Sequence, residues 1–229
     1  MEITALIPMR HHSQRIPGKN YRLLDGKPLY HHILLTLQQC PEITRIAVDT
    51  DSPEILDGLR EFFPNVQTIV RPLELRADTV PMNDILMYDI SQAPAKLYLQ
   101  THSTNPLLRH TTISQAIKTM LDAGPEKDSL FSVTRLQTRL YDANGIAINH
   151  DPRILLQTQD LPPVYEENSC IYLFTAESLQ MHKTRIGANP ILFETAPEES
   201  WDIDEESDFK IVETLIQSQK GGVVSDRLD

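Results

Sequence analysis

Short apolar runs in regular exchange with helix-patterned stretches constrain this chain more than any other feature. Residues 2–8 (EITALIP), 44–49 (TRIAVD), 66–70 (VQTIV), 96–101 (KLYLQT), 129–134 (SLFSVT), 170–175 (CIYLFT) and the run at 190–194 read as buried strands. Helical patterns fall between them at about 28–39, 52–63, 81–92, 110–123, 176–181 and 205–219. The second of these opens with Ser52 as N-cap and Pro53 at the first helical position. Strand followed by helix, repeated, predicts an α/β fold with a mostly parallel central sheet covered by helices on both faces.

At 229 residues the chain fits one large domain spanning 1–229. Residues 135–165 break the rhythm with turn-rich, polar sequence (DANG, NHDP, DLPP) and read as an excursion or arm that serves contacts rather than the core. The last residues, about 220–229, read as a loosely held tail. The formal net charge of -11 argues against a nucleic-acid partner, which needs a dominant basic face. No leader pattern opens the chain and no apolar run approaches the roughly 20 residues of a membrane span, so no membrane partner is expected. The two cysteines, Cys40 and Cys170, form no CxxC pair, which suits a reduced, cytoplasmic setting.

In open parallel sheets ligands gather where strands end, which directs attention to the segment after the first strand. From Met9 to Leu24 it holds four permanent cations, Arg10, Arg15, Lys19 and Arg22, and no acid. In a chain with 32 acids and 21 bases this is a local reversal of charge. Spaced Arg and Lys with a hydroxyl at Ser13 and a glycine at Gly18 can present charge and backbone N–H donors to a polyphosphate. Neither GxxxxGK[ST] nor GxGxxG is present, and a solvated basic loop is the plainer alternative.

Its counterpart is PEESWDIDEESD at 197–208. In an extended stretch Asp202 and Asp204 share a face, which suits a hard divalent cation completed by phosphate and water. The same residues could instead cap the following helix. Taken together, a cationic loop and a carboxylate pair are what a nucleoside triphosphate and its magnesium need, and nucleotidyl transfer becomes the leading chemistry.

Here the residues resemble the acylneuraminate cytidylyltransferases, or CMP-sialic acid synthetases, and more distantly the CMP-Kdo synthetases. IPMRHHSQRIPGKN is similar to the family's R-x-x-S-K-x-I-P-x-K-N through Arg10, Ser13, Ile16, Pro17, Lys19 and Asn20. RPLELRADT at 71–79 resembles R-P-x-x-L-x-x-D-T, STNPLLR at 103–109 a T-S-P segment, NSCIYLF at 168–174 N-G-x-I-Y, and SWDIDEESD the closing D-I-D-x-x-x-D.

The resemblance implies a Rossmann-like nucleotidyltransferase fold with a small dimerisation arm, and a homodimer. It implies CTP and an acidic sugar, nonulosonic or a similar 2-keto acid, as substrates. Arg10, Ser13, Arg15, Lys19, Asn20 and Arg71 would bind nucleotide, with Arg10 and Lys19 also catalytic; Asp202 and Asp204 would be catalytic and hold Mg2+ (or Mn2+). Aligned without a gap, His102 falls where the family commonly has a ribose-contacting glutamine, and Gln100 lies two residues earlier on the same strand face, so both are nucleotide candidates. Arg135, Arg139, Glu167 and Asn168 are the candidates for the acceptor.

Two departures stand out. Gln14 replaces the family's lysine after the motif serine, and Glu166 and Glu167 precede the motif asparagine where an arginine would favour a sugar carboxylate. These leave two rivals: a nucleotidyltransferase with another nucleotide or acceptor, and a nucleotide-binding protein that has lost turnover.

Overall fold

The computed structural model describes residues 1–225, with side chains described through Ser218. Strand β1 (Ile3–Met9) is buried along its whole length. A 3-10 turn, Lys19–Tyr21, and a two-residue hairpin, β2 (Leu23–Leu24) and β3 (Lys27–Pro28), follow. Helix α1 (Leu29–Leu37), β4 (Arg45–Thr50), α2 (Pro53–Phe62), β5 (Gln67–Val70), α3 (Met82–Gln92), β6 (Leu97–Gln100) and α4 (His110–Asp122) continue the alternation. Next come β7 (Ser129–Leu136), β8 (Val164–Thr175), α5 (Ala176–His182), β9 (Pro190–Glu194) and α6 (Glu206–Ser225). The Ser52 hydroxyl caps α2 by accepting from the Ile55 N–H, with Pro53 behind it, as the sequence predicts.

Seven strands form one sheet in the order β5-β4-β1-β6-β8-β7-β9. The pairs β1/β4, β4/β5, β1/β6 and β7/β9 are parallel, while β8 runs against both β6 and β7. The alternation along β1 divides the core. Ile3, Ala5, Ile7 and Met9 meet α1, α2 and α4 through residues such as Ile33, Ile55 and Ile113, while Leu6 meets Leu86 and Ile90 of α3 and Leu179 of α5 on the other face. A third cluster joins Ile16 of the loop after β1 to Leu107, Ile203, Phe209 and Val212, docking α6 against that loop.

The chain runs outward from β1 through β4 to β5, then returns to place β6 on the other side of β1. That reversal opens a crevice at the strands' carboxyl ends. Leu6 is paired with Gln100, the last residue of β6, so Pro8 and Met9 continue beyond it and two loops diverge from the gap. Gly18 begins the 3-10 turn at φ +68°, and a Cβ there would lie 2.6 Å from the Tyr21 ring, so both conformation and space call for glycine.

Two boundaries differ from the sequence expectation. The strand expected at 170–175 begins at Val164 and pairs with β7 out to Leu136, so the two strands extend as a ribbon into the stretch read as an arm. Tyr165, Glu166 and Glu167 in that extension are exposed, so it carries no apolar run to betray it. The register shifts between Phe131 and Val133, and opposite that irregularity Ser169 takes φ +60°, the left-handed region. Helix α6 runs to Ser225, into the expected tail, and residues 226–229 of that tail lie outside the described residues. Among the described residues no helix is long and apolar enough to cross a membrane.

One buried polar cluster lies under the crevice. The Arg71 Nε donates to both carboxylate oxygens of Asp49 on β4, at 3.1 and 3.0 Å. Neither oxygen of the fully buried Asp89 on α3 meets a donor, and its neighbour is the Asp49 carboxyl. Burial first, and Asp49 second, push Asp89 from the ordinary 3.8 up to about 9, so it carries a proton that it can donate to Asp49. The folded protein keeps that proton while an unfolded chain releases it above 3.8. Stability from this group is therefore greatest below that value and declines as pH rises to about 9. Asp89→Asn, neutral and still a donor, should melt several degrees above wild type at pH 8 and show a flatter stability profile between pH 5 and about 9, measured by thermal denaturation.

Candidate active site

The crevice widens into a cavity of about 470 Å³. Its walls come from the loop after β1, the segment after β5, the loop after β6, and the acidic stretch before α6. Of the residues expected to act, Arg10, Ser13, Arg15, Lys19, Asn20, Arg71, His102, Asp202 and Asp204 all line it.

The acidic stretch is aimed by its own alternation. The Ile203 N–H donates to the Thr104 carbonyl at 2.9 Å and its side chain is fully buried, which turns Asp202 and Asp204 on either side of it toward the cavity. The Lys19 ammonium donates to the Ile203 carbonyl at 2.8 Å and to Asp204 Oδ1 at 3.2 Å, and Arg15 Nη2 lies 2.8 Å from the same oxygen. Asn20 ties the loop down by donating to the Arg10 carbonyl and accepting from the Ser103 hydroxyl. Arg10 and Gln14, from the loop, both donate to Asp78.

Helix capping is not the task of the carboxylate pair. Asp208 does it from inside α6, accepting from the Asp204 and Glu205 N–H groups at 2.8 and 2.7 Å. Asp202 Oδ1 is buried with no hydrogen-bond partner, and burial raises the Asp202 pKa, with Asp204 pushing the same way against a Thr104 hydrogen bond to the carboxylate and against Lys19 and Arg15. A buried carboxylate oxygen without a donor next to a second carboxylate is a donor set that fits a hard divalent cation. Among the described residues no group of three or more His, Cys, Asp or Glu side chains is placed to hold a metal, so oxygens from a substrate would have to complete the shell.

His102 is held neutral. Burial, then Arg185 and Lys19, bring it down to about 3, so it offers a hydrogen bond rather than a charge. Gln100 is fully buried below it, with Nε2 3.0 Å from His102 Nε2 and Oε1 accepting from Arg185 Nη1 at 2.5 Å.

With the geometry in place, residues 4–224 match the cytidylyltransferase family. The chain belongs to the cytidylyltransferases. As such it is a nucleotidyltransferase. It is 29% identical to the CMP-N,N'-diacetyllegionaminic acid synthase of Legionella pneumophila, over 98% of this chain and 100% of that protein. It is 24% identical to the post-translational flagellin modification protein B of Campylobacter coli, over 95% and 96% of the two chains. A Geobacter sulfurreducens 3-deoxy-manno-octulosonate cytidylyltransferase is 29% identical over 51% of this chain and 44% of its own. The fold matches that of a CMP:2-keto-3-deoxy-manno-octonic acid synthetase complexed with CTP, with TM-score 0.73 at 17% identity over 96% of this chain and 100% of that one.

Not every candidate residue of this cytidylyltransferase reaches the cavity. Gln100 lies behind it, gripping His102 and Arg185 rather than lining the wall. Arg71 lines it, but its Nε is committed to Asp49. Arg135 is exposed on the β7 extension, and Arg139 donates to the Leu156 carbonyl within the arm; neither lines the cavity. Glu167 accepts from the Tyr172 hydroxyl and faces Arg185 Nη2 at 3.8 Å.

Asn168, expected at the acceptor, has its side chain occupied inside the protein. It accepts from the Ser132 hydroxyl and the Cys170 N–H and donates to the Thr134 and Thr195 hydroxyls, stitching β8 to β7 across the irregular register. Sequence reasoning missed Arg76, Asp78, Ser169 and Arg185, which also line the cavity. Asp78 sat inside the quoted RPLELRADT motif, whereas Arg185, between α5 and β9, carried no signal. Asn168→Ala leaves several buried polar groups without partners and should cost about 2–3 kcal/mol of unfolding free energy in a denaturant titration.

Proposed function

We propose that this cytidylyltransferase transfers CMP from CTP to the anomeric hydroxyl of an acidic sugar, nonulosonic or a similar 2-keto acid, and releases pyrophosphate. The observation that carries the reading is the convergence of Arg10, Arg15 and Lys19 with Asp202 and Asp204 on one cavity at the sheet's crevice. Similarity over almost the whole chain to a relative named as a CMP-legionaminic acid synthase supports the acceptor class.

In this reading the anomeric hydroxyl loses its proton to solvent as its oxygen forms a bond to the α-phosphorus and the bond to the pyrophosphate oxygen breaks, so negative charge moves onto the leaving group. Lys19 and Arg15 are pre-positioned by Asp204 to meet that charge without reorganising at the moment of reaction. Asn20 and the 3-10 turn after Gly18 hold the loop in shape, and Asp78 restrains Arg10 and Gln14 at its rim. Asp202 and Asp204 would hold Mg2+ (or Mn2+), which when bound supplies neutralisation of phosphate oxygens.

A homodimer through the arm belongs to the same proposal. Ile146, Ile148, Ile154 and Leu155 in residues 137–163 are each more than half exposed, an apolar surface that a second copy would cover. The buried, unpaired thiols of Cys40 and Cys170 suit the cytoplasm.

Pyrophosphate release measured with the four nucleoside triphosphates and a panel of 3-deoxy-2-keto sugar acids should show turnover with CTP and at least one such acid; turnover only with another nucleotide would refute the cytidylyl assignment. Asp204→Asn should lower kcat by about a hundredfold or more, and Asp202→Asn should also remove any shift of the melting temperature with added magnesium. An unchanged metal response in both variants would refute the metal assignment.

A further inference from the structure

The acids at 166 and 167 pose a question that the structure answers from another direction. An acidic acceptor needs a cation, yet the ribbon that precedes the motif asparagine presents Glu166 and Glu167, and the arm's Arg135 and Arg139 stand outside the cavity. The cavity's other cations are engaged elsewhere. Arg10 pairs with Asp78, Arg15 and Lys19 with Asp204, and Arg71 with Asp49. Arg76 is exposed and donates to the Arg71 carbonyl at 2.9 and 2.8 Å.

Arg185 differs from all of these. Its backbone N–H donates to Asn83 Oδ1 at 3.2 Å, which fixes the loop after α5 against α3. Its side chain, 15% exposed, lays the guanidinium over the Tyr172 ring at 3.5 Å from the centroid, with Nη1 held by Gln100. One face and one nitrogen are thereby fixed. Nη2 has Glu167 as its carboxylate neighbour, at 3.8 Å and thus beyond hydrogen-bond range. Burial lowers the Arg185 pKa, the mark of a desolvated cation short of compensating charge.

Its position suits the acceptor rather than the triphosphate. Arg185 stands against β8, stacked on Tyr172, while Lys19 stands beside the carboxylates, paired with Asp204. The Lys19 side holds the residues suited to phosphates and a divalent cation. The Arg185 side, with Ser169 in the cavity wall and Tyr172 behind the guanidinium, offers a planar fork to a carboxylate.

We propose that Arg185 is the residue that receives the acceptor sugar's carboxylate, displacing from Nη2 the charge of Glu167, which stands 3.8 Å away and is itself held by the Tyr172 hydroxyl. The inference rests on the cytidylyl-transfer reading above.

Initial rates of pyrophosphate release with wild type, Arg185→Gln, Arg185→Lys and the double variant Arg135→Gln/Arg139→Gln test it, using a sugar acid that the wild type accepts and the same sugar as its C1 amide. Arg185→Gln should raise KM for the acid roughly tenfold or more, leave KM for CTP within about twofold, and abolish the preference for acid over amide, with Arg185→Lys in between. An unchanged acid-to-amide preference, a rise confined to KM for CTP, or reproduction of the acceptor effect by the double variant would overturn it. Absence of pyrophosphate from wild type with every sugar acid is a separate result, and it would overturn the transfer reading itself. If Arg185→Gln melts below the assay temperature, Glu167→Gln decides: removing the competing carboxylate should lower the acceptor KM several-fold, and an unchanged or higher value counts against the proposal.

Discussion

The Lys19 ammonium joins three distant parts of the chain. It donates to the Ile203 carbonyl and to Asp204, while the Ile203 N–H is held by the Thr104 carbonyl. The loop after the first strand, the loop after β6 and the stretch before the last helix therefore meet around one residue, Ile203. A half-buried ammonium shared between a carbonyl and a carboxylate is stronger than a solvated pair, because desolvation sharpens each contact. Without that junction the carboxylates would have no reason to face the cationic loop. The apolar cluster of Ile16, Leu107, Ile203 and Phe209 behind it supplies the packing that keeps the junction closed.

Charge is distributed within the cavity in two ways. Near the carboxylate pair, cations already have anionic partners, so a ligand arriving there exchanges one set of contacts for another and meets pre-aimed donors. Against β8, a desolvated guanidinium stacks on an aromatic ring with its charge only loosely balanced. His102, held by Gln100 and lowered by burial and by the nearby cations, stays neutral and adds no further charge to the cavity. Below the floor, the Asp49 carboxylate, with protonated Asp89 beside it, anchors Arg71, a fixed base for the segment that carries Arg76 and Asp78.

Much of the fold was legible in the sequence because central strands buried on both faces must be apolar, and each of the seven expected strands and six expected helices has its counterpart, although the edge strands β5 and β9 are only partly buried rather than buried as expected. The reversed direction of β8 was not legible, since a buried strand looks the same whichever way it runs. Its extension back to Val164 was hidden for a different reason: a ribbon that leaves the core has no need of apolar residues. In the site, the cationic loop and the pair Asp202 and Asp204 were legible because like charges concentrated in a short stretch require an explanation. Asn168 misled because a polar residue within a motif looks the same whether it bonds a ligand or its own sheet, and only its partners Ser132, Thr134 and Thr195 distinguish the two.

By itself the sequence determined the strand and helix alternation, the basic loop and the acidic pair, all of which are written in local composition and period. Only the tertiary structure decided what those local features meet. Capping of α6 passed to Asp208, which freed Asp202 and Asp204 for the cavity, and the arm's arginines were left outside it. Arg185 entered from a loop with no distinguishing pattern, because a cation's role depends on what desolvates it and which anions lie within a few ångströms. Those are properties of chain segments far apart in sequence, brought together here by Tyr172, Gln100 and the reversed strand β8.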